Sequence, residues 1–449
     1  MAKKQLTIEE KLEAALVPVE EQPYKVPENW CWVRLDNINE HKSTTVDPQN
    51  YPNDDFELYS VPSSTDDYPE MITGEEIGST KQVVQKDDVL LCKINPRINR
   101  VWKVSQYTDN RLLASSEWII VRNKNILSDY LMWCFRTPYF RKYMLSNVSG
   151  VGGSLMRAQP KYVKTYPIPL PPYIEQSRIV ARIESLFAKL DEAKEKVQEI
   201  LDGADLRRAA ILHQAFTGKL TAKWRKERGV RLEDWRKTTL KEISSAIGDG
   251  LHGTPEYDAE GKYFFINGNN FFDDHIEIKP DTKKVNEKEY NKYKIALSSS
   301  NTVFLSINGT LGKTAFYNNE PVILGKSACY INVMSMVNKY WLKYFFQTLE
   351  FINYANEKAT GSTIKNLGLK AIREKKIYLP SMPEQQEIVR LLDNLLSREQ
   401  STVTACEEAL TTIDTLKKSI LARAFRGELG TNDPTESSAK ELLQEILAS

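Results

Sequence analysis

The alternation of apolar and polar positions predicts two long helices in this chain. Between residues 179 and 204, apolar residues return at alternating intervals of four and three positions, which is the a/d repeat of a coiled-coil helix. The members of this repeat are Ile179, Ile183, Leu186, Leu190, Ala193, Val197, Ile200 and Ala204. A second stretch, residues 388–420, has the same repeat at both ends. Polar Glu399 and Thr402 interrupt its middle, so the sequence leaves the pairing of that part open.

Both stretches begin and end with the same motifs, 209 positions apart. Residues 170–176 (LPPYIEQ) match 379–385 (LPSMPEQ), and residues 215–220 (AFTGKL) match 424–429 (AFRGEL). The spacing within the two copies is identical, as continuous helices require, because one inserted residue rotates everything beyond it by about 100°. The first helix, from Glu175 to Gly218, would be about 65 Å long. The repeat predicts two helices that pack on each other.

A segment of different character precedes each predicted helix. Runs of β-branched and aromatic residues are separated by Gly, Pro, Asn and Asp, which is typical of strands and turns. The two segments repeat each other loosely; residues 88–95 (DVLLCKIN), for example, correspond to residues 301–308 (NTVFLSIN). We therefore divide the chain into an N-terminal helical segment (1–28), a first globule (29–170), a central helix (171–228), a second globule (229–380), and a C-terminal helix and tail (381–449).

Composition and charge narrow the classes of function. Lys and Arg total 61 and Asp and Glu total 60, so any binding to nucleic acid must depend on local clusters of cations. The five cysteines are scattered singly, which argues against a disulfide framework or a zinc site. No apolar run approaches the roughly 18–20 residues of a membrane span, and residues 1–17 lack the apolar core of a secretory signal. We expect a cytoplasmic protein.

Catalytic motifs are incomplete in this chain. Residues 170–173 (LPPY) lack the leading amide or carboxylate that amino-methyltransferases use in their N-P-P-Y motif. The Gly-Lys-Thr at 312–314 and the Gly-Lys-Ser at 325–327 have Ile307 and Glu320 where a phosphate-binding loop needs its first glycine. The four histidines have no metal-ligand spacing, and no G-x-S-x-G is present. We therefore expect no catalytic role.

Polar loops offer side chains that recognise DNA bases. Arg and Lys pair with guanine edges, Asn and Gln with adenine, and Ser or Thr with either. In the first globule the candidates are Lys93, Asn95, Arg97, Asn99, Arg100, Lys103, Ser154, Arg157, Gln159 and Lys161. In the second globule they are Asn267, Asn269, Asn270, Ser306, Asn308, Thr310, Lys313, Ser362, Thr363, Lys365 and Asn366.

Taken together, these motifs resemble the specificity (S) subunit of type I restriction-modification systems over essentially the full chain. The duplicated helix starts and ends carry the resemblance. Residues 27–35 (PENWCWVRL) are similar to the lead-in of a target recognition domain, and residues 249–255 (DGLHGTP) to a motif near the start of many such domains. The second motif adds His252 and Thr254 as candidate DNA-binding residues. It has no clear counterpart after Trp30 in the first globule.

The resemblance implies an α+β fold: two globular, α/β-mixed target recognition domains separated by two long antiparallel coiled-coil helices, in a pseudo-twofold circular repeat that brings helical termini (8–16 and 439–447) together. It implies a non-catalytic chain that recognises a bipartite sequence in double-stranded DNA. The two helices would set the distance between the two halves of that sequence. Two methyltransferase (M) subunits would bind S-adenosylmethionine and methylate a flipped-out adenine. Restriction (R) subunits would bind ATP and Mg²⁺, and this chain itself would bind no cofactor or metal.

Two other functions stay open from the sequence. A duplicated coiled-coil scaffold would join proteins without touching DNA, and it would give no sequence-dependent gel shift in the presence of the methyltransferase subunit. A self-sufficient methyltransferase would bind S-adenosylmethionine as an isolated chain, which is not expected without a cofactor loop.

Overall fold

The computed structural model describes residues 7–150, 156–361 and 363–448. Two compact units divide the chain, and each contains one predicted globule and part of both long helices. Unit 1 consists of Met1–Val197 and Glu408–Ser449, and unit 2 of Gln198–Glu407. The division into five segments stays a prediction. No helix in the described ranges has the length and apolar character needed to cross a membrane.

The elements of unit 1 are numbered in chain order. Its helices are α1 (Ile8–Ala15), α2 (Leu35–Ile38), α3 (Ser128–Phe135), α4 (Pro138–Ser146), α5 (Pro160–Val163), most of α6 (Tyr173–Asp202), the end of α13 (Met382–Ala424), and α14 (Ala439–Ala448). Its strands are β1 (Cys31–Arg34), β2 (Thr45–Val46), β3 (Asp55–Tyr59), β4 (Glu70–Thr73), β5 (Lys81–Val83), β6 (Val89–Cys92), β7 (Val101–Lys103), β8 (Arg111–Ala114), β9 (Trp118–Val121), β10 (Val148–Ser149), β11 (Arg157–Ala158) and β12 (Pro167–Leu170). Turns of 3-10 helix lie at Val19–Glu21, Pro48–Asn50, Ser63–Thr65, Gly74–Glu76 and Pro96–Ile98.

Unit 2 contains the corresponding elements. Its helices are the end of α6, α7 (Ala204–Phe216), α8 (Ala222–Arg228), α9 (Glu287–Tyr293), α10 (Lys339–Phe346), α11 (Leu349–Lys358), α12 (Leu369–Glu374) and most of α13. Its strands are β13 (Arg236–Thr239), β14 (Ser244–Asp249), β15 (Tyr263–Ile266), β16 (Phe271–Phe272), β17 (His275–Ile276), β18 (Lys284–Val285), β19 (Thr302–Ser306), β20 (Thr314–Phe316), β21 (Val322–Leu324), β22 (Ala328–Val333) and β23 (Lys376–Leu379). Turns of 3-10 helix lie at Leu232–Asp234 and Gly268–Asn270.

Both units close in the same way, through an antiparallel pair made by the first and last strands of the globule. In unit 1, β1 pairs with β12 and Cys31 lies opposite Leu170. In unit 2, β13 pairs with β23 and Arg236 lies opposite Leu379. The remaining strands form mainly the sheets β2-β5-β8-β3-β4 and β7-β6-β9 in unit 1, and β14-β22-β19-β20 and β18-β15-β21 in unit 2. Strands β3 and β8 pair in parallel in unit 1, and β15 and β21 do so in unit 2, and both pairings are long-range.

A fully buried strand lies at the centre of each unit and separates two hydrophobic cores. Along β6, Val89 and Leu91 face the core formed with α3 and α4, whereas Leu90 and Cys92 face the core of the neighbouring sheet. Successive side chains of a strand point to opposite faces, so a strand covered on both sides is apolar at every position. Strand β19 of unit 2 also lies between two cores: Val303 and Leu305 face one core, and Phe304 faces the other.

Both predicted stretches are helical, but one detail of the prediction is wrong. The second helix, α13, is continuous over 43 residues. The single helix expected from Glu175 to Gly218 is instead two, because α6 ends at Asp202 and α7 begins at Ala204. Glycine at 203 is the poorest helix former apart from proline. Arg207 donates a hydrogen bond to the Ile200 carbonyl, 2.6 Å away, across this interruption.

The two helices pack antiparallel within each unit. In unit 1 the Lys417 ammonium lies over the Phe187 ring, 5.0 Å from its centroid, and pairs with Asp191. In unit 2 Arg207 and Glu399 form an ion pair at 2.8 Å. Glu399, one of the two polar residues that interrupt the apolar repeat, therefore has a partner on the other helix. The seam is buried near the helix start, as at Ile179 and Ile183, but Ile200 is 41% exposed.

The terminal helices α1 and α14 meet within unit 1, as expected. Ala15, Leu443 and Ile446 are buried in the same core. The Lys11 ammonium donates a hydrogen bond to the Leu447 carbonyl at 3.2 Å.

A buried carboxylate at the start of each long helix joins three parts of its unit, and we call this arrangement the carboxylate clasp. In unit 2 Glu384 is fully buried and accepts hydrogen bonds from the Trp235 indole (2.9 Å), the Thr221 hydroxyl (2.7 Å) and the Arg225 guanidinium (2.6 Å). Trp235 immediately precedes β13, and Thr221 follows α7. One side chain therefore fixes the start of the globule and the end of one helix to the start of the other.

The clasp of unit 1 has the same layout but neutral partners. Glu175 is fully buried and accepts hydrogen bonds from the Trp30 indole (2.7 Å), the Asn432 amide (2.9 Å) and the Thr431 hydroxyl (3.3 Å). Burial raises the pKa of Glu175 above its ordinary value, because the neutral hydrogen-bond donors only partly offset the loss of water. Arg178 nearby pairs with Glu436 at 2.7 Å.

The glutamine that follows each clasp residue fixes a helix of the globule. Gln385 accepts a hydrogen bond from the Asn338 amide (2.8 Å) and donates to the Met336 carbonyl (3.0 Å), so it holds the start of α10. Gln176 accepts from the Leu127 amide (2.8 Å) at the start of α3. The repeated Glu-Gln pair is thus explained by packing rather than by chemistry on a ligand.

The difference between the two clasps predicts unequal effects of the same substitution. Glu384→Gln leaves the Arg225 charge buried without its counter-ion, which should cost about 3 kcal/mol of stability. Glu175→Gln keeps an oxygen acceptor for neutral donors and should cost about 1 kcal/mol. Urea unfolding of the two full-length variants measures the difference. Equal destabilisation by both substitutions would contradict the assignment of a charged clasp to unit 2 and a neutral clasp to unit 1.

Candidate nucleic-acid interface

Two loops come together at one end of each unit. In unit 1 the loop after β6 lies against the segment that leads to α5. The Asn95 amide donates to the Met156 carbonyl (2.7 Å), and the Ala158 amide donates to the Lys93 carbonyl (2.8 Å). The structure therefore brings together candidates that are more than fifty residues apart in the sequence. We call these two loops the loop pair of unit 1.

Unit 2 has the equivalent loop pair. Here the loop after β19 lies against the segment between α11 and α12. The Gly309 amide donates to the Lys365 carbonyl (2.9 Å), and the Leu367 amide donates to the Ile307 carbonyl (2.8 Å). Residues 308 and 366 form a bridge of β type. Predicted residues from two separate segments again form one surface.

The first loop of unit 1 is held in a defined shape. Asn95 and Asn99 both have left-handed backbone conformations, with φ of 46° and 50°, on either side of the 3-10 turn Pro96–Ile98. Asparagine adopts this conformation more readily than other non-glycine residues, and proline fixes its own φ. Arg141 on α4 donates a hydrogen bond to the Arg97 carbonyl. The loop is therefore preorganised, with Arg97 exposed at its tip.

The candidate DNA-binding residues of unit 1 differ in how exposed they are and in whether they already have a partner within the protein. Arg97 and Lys161 are exposed, and Lys93, Asn95, Asn99, Arg100 and Gln159 are half-buried. Lys103 forms an ion pair with Asp129 at 2.6 Å, and Arg157 pairs with Glu117 at 3.2 Å. Ser154 lies outside the described residues.

Most candidates of unit 2 are exposed or half-buried. Exposed residues are Thr254, Asn269, Thr310, Lys313, Thr363, Lys365 and also His252, which pairs with Asp249 at 2.7 Å. Asn267, Asn308 and Asn366 are half-buried, and the Asn308 amide donates to Asn366 at 3.2 Å. Ser362 lies outside the described residues.

Two candidates of unit 2 are buried and shape the loops from within. Ser306 donates to the Thr310 carbonyl at 2.7 Å and accepts from the Lys313 amide at 2.9 Å. Asn270 donates to the Glu277 carbonyl at 2.9 Å. Their hydrogen bonds position neighbouring exposed residues.

A polar cleft of about 400 Å³ lies beside the loop pair of unit 2. Four predicted residues line it: Asn267, Asn269, Asn270 and Lys313. The structure adds six that sequence reasoning missed: Tyr257, Phe265, Asp281, Thr282, Lys279 and Lys283. Three lysines between residues 279 and 284 are a signal that could have found the last two. Lysines suit phosphates, and aromatic rings such as Tyr257 and Phe265 suit bases.

The described residues contain no group of three or more His, Cys, Asp or Glu side chains arranged to hold a metal ion. Each loop pair presents cations, amides and hydroxyls, together with one exposed isoleucine, Ile98 in unit 1 and Ile364 in unit 2. Such a surface is able to contact DNA phosphates and base edges.

The fold places the chain in a class of proteins with mixed helices and strands, in which each of two similar units combines a globule with parts of two long helices. Residues 232–408 match the family described as Type I restriction modification DNA specificity domain. The chain is 27% identical over 307 residues to the Type I restriction enzyme EcoBI specificity subunit of Escherichia coli, covering 63% of this chain and 64% of that protein. It is 26% identical over 342 residues to the EcoKI specificity subunit of Escherichia coli strain K12, covering 72% of each.

Solved structures share this fold. The HsdS subunit from Thermoanaerobacter tengcongensis matches with a TM-score of 0.65 and 23% identity, over 91% of this chain and 100% of that chain. A chain from a structural study of complex assembly and conformational transition of the type I R-M system matches with a TM-score of 0.71 and 23% identity, over 90% and 100%. The predicted resemblance is confirmed: the chain is similar to type I specificity subunits, and residues 232–408 match the model of a type I DNA specificity domain.

Proposed function

We propose that this chain recognises a bipartite sequence in double-stranded DNA for a type I restriction-modification complex, with each unit contacting one half of the target. The single observation that carries the proposal is the duplication of the loop pair. Each unit presents its own preorganised loops, and the loops differ in sequence although the surrounding frameworks are similar. A common framework with different exposed side chains is suited to recognising two different half-sites.

Exposed cations and amides on these loops supply the required contacts. Arg97 of unit 1 is able to pair with guanine, and Asn269 of unit 2 with adenine. Lys313 and Lys365 suit phosphate contacts, which fix orientation without selecting a sequence. The chain as a whole has a net charge of +1, so partner subunits would supply much of the neutralisation of the phosphates.

We further propose that the chemistry resides in partner subunits and that this chain is not an enzyme. Two methyltransferase subunits would bind S-adenosylmethionine and methylate adenine, and restriction subunits would bind ATP and Mg²⁺. The names of the relatives as specificity subunits of restriction enzymes support this division of labour. Exposed apolar residues on the long helices support docking of the methyltransferase subunits there: Leu206 is 75% exposed and Leu416 is 45% exposed.

An exchange of one globule tests the assignment of half-sites. Residues 29–165, replaced by the recognition domain of a relative, should change one half of the methylated sequence and leave the other half unchanged. The reciprocal exchange of residues 234–374 is the matched control and should change the other half. The measurement is the sequence context of methylated adenine after co-expression with the methyltransferase subunit. A change in both halves, or in neither, would show that the units do not act separately.

Two single substitutions in unit 2 separate phosphate contacts from base contacts. Lys313→Ala should weaken binding to all DNA sequences about equally. The slope of the logarithm of the binding constant against the logarithm of salt concentration should become shallower by about one, because one phosphate contact is lost. Asn269→Ala should instead relax selectivity at one base pair. The discrimination against the wrong base at that position should fall by about 1–3 kcal/mol, the typical contribution of one bidentate contact to a base. Gel shift with the methyltransferase subunit at several salt concentrations measures both. If even the unaltered chain binds without sequence preference, the protein is a scaffold and the proposal is wrong.

A further inference from the structure

The loop pair of each unit contains an exposed isoleucine. Its apolar side chain is unable to form the hydrogen bonds to bases or the ion pairs to phosphates proposed for the neighbouring residues. In unit 1, Ile98 is 52% exposed and lies between Arg97 and Asn99. In unit 2, Ile364 is 62% exposed and lies between Thr363 and Lys365. Single exposed apolar side chains are common on protein surfaces, so exposure alone implies no function. What distinguishes these two is their position on the surface proposed to meet DNA.

The backbone around Ile98 holds its side chain at a fixed place. The Ile98 amide donates to the Asn95 carbonyl at 3.1 Å, and the Asn99 amide donates to the Pro96 carbonyl at 3.2 Å. The left-handed residues on both sides and the hydrogen bond from Arg141 restrict the same turn. The loop is therefore already ordered in the free protein, and it presents Ile98 with half of its surface exposed to solvent.

The second loop of unit 2 is closed by its own hydrogen bonds. Thr360 and Asn366 exchange backbone hydrogen bonds in both directions, at 3.0 and 2.8 Å. Gly361 has a positive φ of 92°, and a Cβ there would lie 2.3 Å from the Ile364 carbonyl oxygen, so only glycine fits this turn. Ile364 thus projects from a closed loop beside the exposed Lys365.

Apolar side chains on cationic loops have a known use in proteins that distort DNA. Leucine, isoleucine, methionine, phenylalanine or proline inserts between adjacent base pairs and partly unstacks them, while neighbouring cations hold the phosphates. An isoleucine is of suitable size, and Arg97 and Arg100 near Ile98 supply the cations. An unstacked step also makes it easier to turn a nearby base out of the duplex.

We propose that Ile98 inserts between neighbouring base pairs of the half-site bound by unit 1, and that Ile364 does so in the half-site bound by unit 2. The inference depends on the proposed DNA binding and adds to it a distortion of the duplex by named side chains. The isoleucines would contribute to binding by local unstacking, and the surrounding Arg, Lys and Asn side chains would contribute selectivity.

The test uses the full-length chain with its methyltransferase subunit and duplexes that contain the target sequence of the methylation reaction. Placing 2-aminopurine at successive positions of one half-site reports unstacking as a rise in fluorescence. Besides the rise at the adenine that the methyltransferase subunit flips out, the unaltered protein should give a rise at one further step. Ile98→Ala should abolish that further rise for the unit 1 half-site only. Ile98→Met retains a long apolar side chain and should restore it. Ile364→Ala should act in the same way on the other half-site.

A second measurement compares binding to an intact duplex and to a duplex mismatched at the affected step. Because a mismatched step costs less to unstack, the unaltered protein should bind it about five- to tenfold more tightly. Ile98→Ala should reduce this preference to about one. Val19→Ala, which removes a side chain that is 80% exposed on the 3-10 turn Val19–Glu21, outside the loop pairs and the long helices, is the matched control and should leave the preference unchanged.

The outcomes separate this inference from the proposed function. If Ile98→Ala still binds its target selectively and gives an unaltered fluorescence rise and mismatch preference, the isoleucine does not insert and the inference is wrong. If the unaltered protein shows no selective DNA binding, the proposed function itself fails. A fluorescence rise that is lost in Ile98→Ala and regained in Ile98→Met supports insertion over a general disturbance of the loop.

Discussion

Each unit depends on a buried glutamate at the start of a long helix. Glu175 and Glu384 are both fully buried, and both accept hydrogen bonds from a tryptophan that precedes the first strand of the globule. A buried carboxylate without partners is strongly unfavourable, so these hydrogen bonds specify where the strand, the helix start and the following turn lie. The clasp therefore explains why LPxxxEQ recurs with identical spacing: the motif positions a whole globule on its helix.

The clasp and the loop pair lie at opposite ends of the central sheet in unit 2. Gln385 contacts Met336, just beyond the end of β22 at Val333, and this end of the sheet also contains Thr302, the first residue of β19. The loop that carries candidate DNA contacts extends from Ser306, the last residue of the same strand. The helix attachment can thus remain constant while the far loops vary. This separation gives a physical basis for one framework with two different specificities.

The sequence predicted the helices and the repeated motifs because both are encoded locally. The a/d repeat and the identical spacing specify α6, α7 and α13, and only the interruption at Gly203 was not anticipated. The partners of Glu175 were out of reach, because Trp30 and Asn432 are separated from it by more than a hundred residues. The parallel pairing of β3 with β8 could not be predicted either, because the paired residues are 55 positions apart in the sequence.

The candidate DNA surface was predictable in composition but not in arrangement. Residues near 95 and near 157 were both selected as polar loop residues, yet only the fold brings them into contact. Local sequence also gave no sign that Ser306 and Asn270 would be buried. Tyr257 and Lys279 join the cleft of unit 2 through long-range packing that no periodicity reveals.

The central claim is that two structurally similar units recognise two different half-sites. The most direct test is to sequence the methylated adenines in a genome that expresses this chain together with its methyltransferase subunit. The account predicts one motif with two specified halves separated by a fixed number of unspecified base pairs, and no such methylation when the chain is deleted. A single uninterrupted motif, or methylation that is unchanged by the deletion, would contradict it.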